Sequence, residues 1–181
     1  MIRPGSVKIC SLRQPEHAGW VVESGAEMFG LIFAPSRRQV TIEEARQIAG
    51  AARGAGNGRA PMAVGIFVDA GVVALNDATG EVGLDLVQLH GAESPEMLAA
   101  IDAPVIKVVR VKPGSGFDQT AARIDVFERS PKPPVAYLID GYHPRHAGGQ
   151  GVLADWELAR RLAERFPIVL AGGLTPENVG E

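Results

Sequence analysis

Short apolar runs alternate with amphipathic segments rich in Ala, Glu and Arg along the whole chain. The apolar runs are nearly continuous in Val, Ile and Leu, as is typical of parallel strands that helices cover on both faces. No two of these runs are joined by a tight hairpin turn. The pattern therefore predicts seven strands, at residues 7–10, 28–33, 63–68, 84–89, 105–111, 135–139 and 168–171.

Helix-start signals lie between the predicted strands. The clearest is Thr41 with Glu44 three residues later, which is the spacing of a capping box. Residues 70–80 predict a weaker helix, and residues 113–129 predict a helix whose Gly-rich start is partly loop. The remaining helices are expected to open at Pro15, Ser94, Asp155 and Thr175.

A strand followed by a helix, seven times over, predicts an α/β fold with a parallel sheet. Both an open doubly wound sheet and a closed (β/α) barrel fit this order. No G-x-G-x-x-G follows the first strand, which weakens the dinucleotide-binding form of the open sheet. A closed barrel uses eight units and about 250 residues. We therefore expect one domain, residues 1–181, with seven βα units and the eighth strand and helix missing from this chain.

The composition narrows the classes of function. A net charge of −3, with 46% hydrophobic and 22% charged residues, is ordinary for a globular protein and suggests neither a nucleic-acid partner nor a membrane surface. A single cysteine excludes an intrachain disulfide and suits a reducing compartment. No run approaches the about 18 apolar residues of a membrane-spanning helix. We expect a cytoplasmic protein.

A series of short sequence words runs in a fixed order along nearly the whole chain. They are KIC at 8–10, GLIFAPS at 30–36, VGIFVD at 64–69, LDLVQLHG at 84–91, PVIK at 104–107, GGQG at 148–151, DW at 155–156 and LAGGLTPENV at 170–179. Their order and spacing resemble phosphoribosylanthranilate isomerase, the (β/α)8 enzyme family of tryptophan biosynthesis. The resemblance implies a TIM barrel whose eighth strand and helix are missing here.

The resemblance also implies an activity, the Amadori rearrangement of N-(5-phosphoribosyl)anthranilate to 1-(2-carboxyphenylamino)-1-deoxyribulose 5-phosphate. This aldose–ketose isomerisation needs a general acid at the ring oxygen and a general base at C2 of the sugar. It also needs anchors for a carboxylate and a phosphate. We expect no metal and no organic cofactor, because enolisation of an aldose-type amine requires neither.

Cys10 matches the family's general base and ends the first predicted strand, where barrels of this kind keep their chemistry. A thiol is only slightly ionised at neutral pH and needs help to act as a base. Lys8, two residues back, is expected on the same face and about 6.6 Å along the strand, where its cation favours the thiolate. The alternative is a buried structural cysteine.

Asp140 ends the sixth predicted strand and matches the family's general acid. A proton donor must be protonated near neutral pH, which partial burial in a barrel mouth favours. The alternative is a strand-end aspartate that makes a turn or caps a helix, since Gly141 follows directly.

Arg38 aligns with the arginine that holds the anthranilate carboxylate in the family, a task that suits its planar fork. The loop is one residue shorter than usual and Gln39 replaces an expected tyrosine, so Arg37 competes for this role. A merely solvated pair of arginines is the third interpretation. His90 is expected to line the pocket, or else to satisfy a backbone carbonyl.

Gly172 and Gly173 come between the last strand and a helix start, so their backbone N–H groups are expected to bind the phosphate. The GGQG word at 148–151 matches a loop that helps to close the site, or is a flexible turn. His143, His146 and His17 lack the setting of a metal site, and loop histidines are the preferred interpretation.

Ser11 departs from the family pattern, which has glycine directly after the cysteine. A glycine permits close backbone approach to the sugar, whereas a serine obstructs it or restricts φ. Arg13 and Gln14 also replace a Thr-Arg pair in the same loop. These changes leave two other functions open: a divergent barrel acting on another sugar phosphate, and a scaffold that binds phosphate ligands without turnover. Open barrel edges also lead us to expect homo-association.

Overall fold

The computed structural model describes residues 2–56, 60–112, 114–141 and 155–179. Each predicted strand is present, with its ends within two residues of the predicted ones. The strands are β1 (Lys8–Ile9), β2 (Met28–Ile32), β3 (Met62–Phe67), β4 (Leu86–Leu89), β5 (Val105–Val111), β6 (Ala136–Gly141) and β7 (Ile168–Leu170). The helices are α1 (Glu16–Glu23), α2 (Ile42–Ala55), α3 (Val72–Val82), α4 (Phe117–Glu128) and α5 (Trp156–Ala163), with a 3₁₀ helix at Pro95–Ala100.

The chain divides into two compact units. The first comprises Met1–Glu93 with Ala100–Val105, and the second comprises Ser94–Ala99 with Ile106–Glu181. In the first unit, β1 to β4 pair in chain order and every pair is parallel. In the second, β5 pairs with β6 and β6 with β7, again in parallel. The predicted parallel α/β arrangement is therefore confirmed within each unit.

Two predicted helix caps are present with their hydrogen bonds. The Thr41 hydroxyl accepts from the backbone N–H of Glu44 at 3.2 Å, and the Glu44 carboxylate accepts from the backbone N–H of Thr41 at 2.7 Å. The hydrogen bonds from the Thr41 backbone and then its hydroxyl hold the pKa of Glu44 below its ordinary value. Asp155 caps α5 by accepting from the backbone N–H of Leu158 at 2.9 Å.

One expected helix start leads to a different element, and another is described only over its first turn. The segment opened by Ser94 forms a 3₁₀ helix rather than an α-helix. The helical run is itself short, Pro95–Ala100, and short runs suit the tighter 3₁₀ turn. After Thr175 the described residues form a turn, in which the backbone N–H groups of Asn178 and Val179 donate to the Thr175 carbonyl.

Each unit has its own apolar core. In the first, the largest fully buried side chains include Met28, Phe29 and Leu31 of β2. In the second, Tyr137 packs edge-on against Phe166, and its hydroxyl donates to the Glu128 carboxylate at 2.6 Å. Burial first, and then this carboxylate, raises the pKa of Tyr137 far above its ordinary value. None of the helices in the described part of the chain has the length and apolar character needed to cross a membrane.

Candidate active site

Cys10 stands where β1 ends and the chain turns away from β2. The backbone N–H groups of Ser11 and Leu12 both donate to the Gly30 carbonyl, at 2.9 and 3.0 Å. This shared acceptor ends the parallel ladder, which is why β1 is shorter than predicted. The turn holds Ser11 at φ 71°, in the left-handed region that favours glycine. Position 11 therefore has a backbone requirement that explains why the family pattern places glycine there.

The thiol of Cys10 and the ammonium of Lys8 meet over Gly30. A Cβ placed on Gly30 would lie 3.0 Å from Cys10 Sγ and 3.3 Å from Lys8 Nζ. The two side chains thus share one face, as their spacing predicts. Cys10 is exposed, so its interpretation as a buried structural cysteine is wrong. The arrangement presents an accessible thiol and a positively charged side chain over the same glycine.

Gly30 is the residue that leaves room for this pair, and its replacement by alanine tests the arrangement. The added methyl would also lie 2.9 Å from Ile66 Cδ1. We expect Gly30→Ala to lower the free energy of unfolding by about 1–3 kcal/mol, because overpacking forces neighbouring side chains to move. We expect it also to change the alkylation rate of Cys10. Urea unfolding and iodoacetamide labelling measure the two effects.

Gly19→Ala is the matched control for that substitution. Gly19 lies in α1, and a Cβ there would meet no atom within 4 Å. This change is expected to stabilise the chain slightly, by about 0.5–1 kcal/mol, because alanine favours a helix over glycine. A Gly30→Ala variant that unfolds and labels like the wild type would show that the close approach at Gly30 carries no constraint.

Asp140 lies inside β6, close to its carboxyl end, and is only 6% exposed. Its partner in the register is Arg110 of β5, so both side chains leave the sheet on the same face. The ladder with β5 continues one residue further, to Gly141, which is why β6 runs past its predicted end. The second unit thus holds a nearly buried carboxyl group at the end of a central strand of its three-stranded sheet.

The loop after β2 carries both candidate carboxylate anchors on its surface. Arg37 and Arg38 are exposed, and the backbone N–H of Arg38 donates to the Ser36 hydroxyl at 3.1 Å. Gln39 braces the loop, because its side-chain amide donates to the Phe33 carbonyl at 2.9 Å. The residue that replaces the expected tyrosine therefore has a structural task, and both exposed arginines stay candidates for the carboxylate anchor.

His90 follows β4 and is nearly buried. Its backbone N–H donates to the Phe67 carbonyl at 2.8 Å, and its ring Nδ1 lies 3.4 Å from the side-chain amide nitrogen of Gln88. Gln88 of β4 thus contacts the ring, while β3 holds the backbone of His90. This geometry fits a fixed wall of a pocket.

The sequence predicts no role for Asp69 or Glu93. In the structure their carboxylates join the loops after β3 and β4 through hydrogen bonds, an arrangement called the clasp below. The Glu93 carboxylate accepts from the backbone N–H groups of Asp69 and Gly91, both at 3.0 Å. The Asp69 carboxylate accepts in return from the backbone N–H of Ala92 at 2.6 Å. Asp69 was part of a matched sequence word, but only the fold reveals its partner. The clasp fixes the backbone that directly follows His90, at Gly91 and Ala92.

Gly172 and Gly173 follow β7 in the second unit, at φ 89° and 71°. Both conformations favour glycine. Among the described residues, none accepts a hydrogen bond from the backbone N–H of either glycine. Asn178 braces the loop by donating to the Gly173 carbonyl at 3.0 Å. Since Ala171 pairs with Ile139, Gly172 lies beside the end of β6 that carries Asp140.

Several predicted features fall outside the described residues. The GGQG word at 148–151 does, and so do His143 and His146. His17 is described, and its ring stacks on Trp20 of α1 at 5.0 Å between centroids. Within the described ranges, no three His, Cys, Asp or Glu side chains are grouped closely enough to hold a metal ion.

Comparisons with known proteins agree on one family. The family model for N-(5'phosphoribosyl)anthranilate (PRA) isomerase matches residues 7–181. The N-(5'-phosphoribosyl)anthranilate isomerase of Roseiflexus castenholzii is 45% identical over 181 residues, which cover 97% of this chain and 81% of that protein.

Two crystal structures are similar as well. The phosphoribosyl anthranilate isomerase of Thermotoga maritima superposes with a TM-score of 0.78 at 34% identity, covering 96% of this chain and 80% of that one. A phosphoribosyl anthranilate isomerase in complex with reduced 1-(o-carboxyphenylamino)-1-deoxyribulose 5-phosphate gives a TM-score of 0.75 at 33% identity. That match covers 97% of this chain and 79% of the other.

Proposed function

The chain belongs to the N-(5'-phosphoribosyl)anthranilate isomerase family of (β/α)8-barrel enzymes, and we propose that it converts N-(5-phosphoribosyl)anthranilate into 1-(2-carboxyphenylamino)-1-deoxyribulose 5-phosphate. The observation that supports this most is the exposed Cys10 thiol, which lies over Gly30 beside the Lys8 ammonium. A base that takes a proton from carbon has to be accessible to the substrate, and this thiol is exposed.

In this mechanism Asp140 is the general acid. It donates its proton to the ring oxygen of the ribose as the bond between that oxygen and C1 breaks. The lone pair of the anthranilate nitrogen forms the C1=N bond, so the opened sugar carries a positive iminium group. Asp140 lies at the carboxyl end of β6 and is nearly buried.

Cys10 is the general base in the second step. Its thiolate removes the proton from C2, so an S–H bond forms and the C2–H bond breaks. The electrons of that bond form C1=C2, and the C1=N electrons return to the nitrogen as its lone pair. The resulting enolamine then tautomerises to the aminoketose. Redox balance is internal, because C1 is reduced while C2 is oxidised.

The substrate's two anionic ends require anchors. The guanidinium of Arg38 is the proposed partner of the anthranilate carboxylate, since its planar fork matches two carboxylate oxygens. The backbone N–H groups of Gly172 and Gly173 are the proposed partners of the phosphate, because both glycines adopt positive φ in the loop after β7 and such loops can present their N–H groups to an anion. His90, held by Gln88, is the proposed wall of the pocket.

Turnover of N-(5-phosphoribosyl)anthranilate by the purified chain tests this function. We expect the substrate to be converted into the aminoketose, with the new ketone carbon detected by ¹³C NMR. A chain that is folded by its melting curve yet leaves this substrate unchanged would refute the proposal. Faster turnover of a different sugar phosphate would favour the divergent barrel instead.

Arg38→Ala is expected to raise KM about 10- to 100-fold with little change in kcat. A hydrogen bond to a charged group contributes about 1.5–3 kcal/mol, and an anchor that holds substrate and transition state equally affects KM alone. Steady-state kinetics measures both constants. Arg37→Ala, one residue away and equally exposed, is the matched control and is expected to change KM little. The reverse result would assign the carboxylate to Arg37.

A further inference from the structure

We propose that the Ser11 hydroxyl is a positioning group for Cys10 that favours the thiolate by hydrogen bonding to its sulfur. Ser11 Oγ donates to Cys10 Sγ at 3.5 Å. The functional consequence rests on the proposed function, in which that thiolate is the general base. The hydrogen bond itself is a property of the free protein and is testable without turnover.

The backbone conformation at position 11 favours glycine, so the presence of a serine there calls for a reason. The turn places Ser11 at φ 71°, where any side chain is strained and glycine is not. The two hydrogen bonds to the Gly30 carbonyl, from Ser11 and from Leu12, impose this conformation on whichever residue stands there. A serine at this position costs conformational energy, and what it provides in exchange is a hydroxyl donor next to the sulfur.

The hydrogen bond from the Ser11 hydroxyl stabilises one protonation state of the sulfur more than the other. A thiolate is a much stronger hydrogen-bond acceptor than a thiol, so a donor fixed beside it favours the ionised form. The Lys8 ammonium on β1 shares the space over Gly30 of β2 with the sulfur, because a Cβ placed on Gly30 would lie 3.0 Å from Cys10 Sγ and 3.3 Å from Lys8 Nζ. The Ser11 hydroxyl therefore adds to the effect of the Lys8 ammonium.

The expected consequence is a thiolate that persists to lower pH than it would beside glycine. A stabilised thiolate is also a weaker base, so part of the gain in ionised fraction is lost in proton affinity. Ser11 is therefore expected to shift the pH range of activity more than its maximum. This separates a positioning group from a residue that merely supports the fold.

Alkylation of the single cysteine provides the direct test. The rate of iodoacetamide labelling, followed by intact mass from pH 5 to 10, reports the ionisation of Cys10 alone. Ser11→Gly removes the hydroxyl and fits the backbone, whereas Ser11→Ala removes the hydroxyl and keeps the strain. We expect the midpoint of the labelling profile to rise by about one pH unit in both variants. Ser24→Ala is the control. The Ser24 hydroxyl donates to the Val21 carbonyl, and its removal should leave the midpoint unchanged.

Each outcome decides the question. A rise in both variants supports the proposal, and a rise in Ser11→Ala alone would overturn it, because backbone strain rather than the hydroxyl would then be the cause. An unchanged midpoint in Ser11→Gly also overturns it, since glycine fits φ 71° and that variant is expected to fold.

The test separates this inference from the proposed function. If the labelling midpoint moves but the chain does not isomerise N-(5-phosphoribosyl)anthranilate, the hydrogen bond is established and the proposed function fails. If turnover occurs but the midpoint does not move, the function stands and the role of Ser11 fails. When both hold, the acid limb of kcat/KM should move with the labelling midpoint in Ser11→Gly.

Discussion

Replacing Cys10 with alanine is expected to lower kcat by about 10²- to 10⁴-fold, the usual contribution of a general base. The melting temperature should stay close to that of the wild type, because Cys10 is exposed and buries little surface. Steady-state turnover of N-(5-phosphoribosyl)anthranilate and a thermal melt measure the two quantities on the same preparation. The prediction is therefore a large kinetic loss without a matching loss of stability.

Cys10→Ser is the informative companion variant. Serine keeps the size and polarity of the side chain but is a far weaker acid than a thiol, so it is almost never ionised at neutral pH. It should lose nearly as much activity as alanine. Alkylation of the wild type should abolish activity with the same time course as labelling, since no other cysteine is present. A fully active Cys10→Ala variant would remove the base from the mechanism.

The positions of the strands were predictable because they depend on a local pattern. Continuous runs of Val, Ile and Leu mark buried parallel strands wherever they pair. The ends of the strands depend instead on the partner strand. At β1, Gly30 accepts from two successive N–H groups and stops the ladder at Ile9. At β6, the ladder with β5 continues to Asp140 and Gly141, beyond the apolar run that predicted the strand.

In the candidate site too, features that depend on local spacing were predictable, and features that depend on distant segments were not. The shared face of Lys8 and Cys10 follows from their two-residue spacing and is present in the structure. The clasp between Asp69 and Glu93 joins residues 24 apart in sequence. It could not be predicted, because it requires two loops to meet. The hydrogen bond from the Ser11 hydroxyl to the Cys10 sulfur was not predictable either, because it depends on a positive φ that serine rarely adopts.

Asp140→Asn is expected to lower kcat by a similar factor of about 10²- to 10⁴-fold, because an amide of the same shape has no proton to give to the departing ring oxygen. The substitution preserves volume at a site that is 6% exposed, so we expect a small change in the melting temperature. Asp125→Asn is the matched control. Its carboxylate pairs with Arg165 on the outside of the same unit, and its removal should leave kcat unchanged. A folded Asp140→Asn variant that keeps full activity would assign the proton donor to another residue.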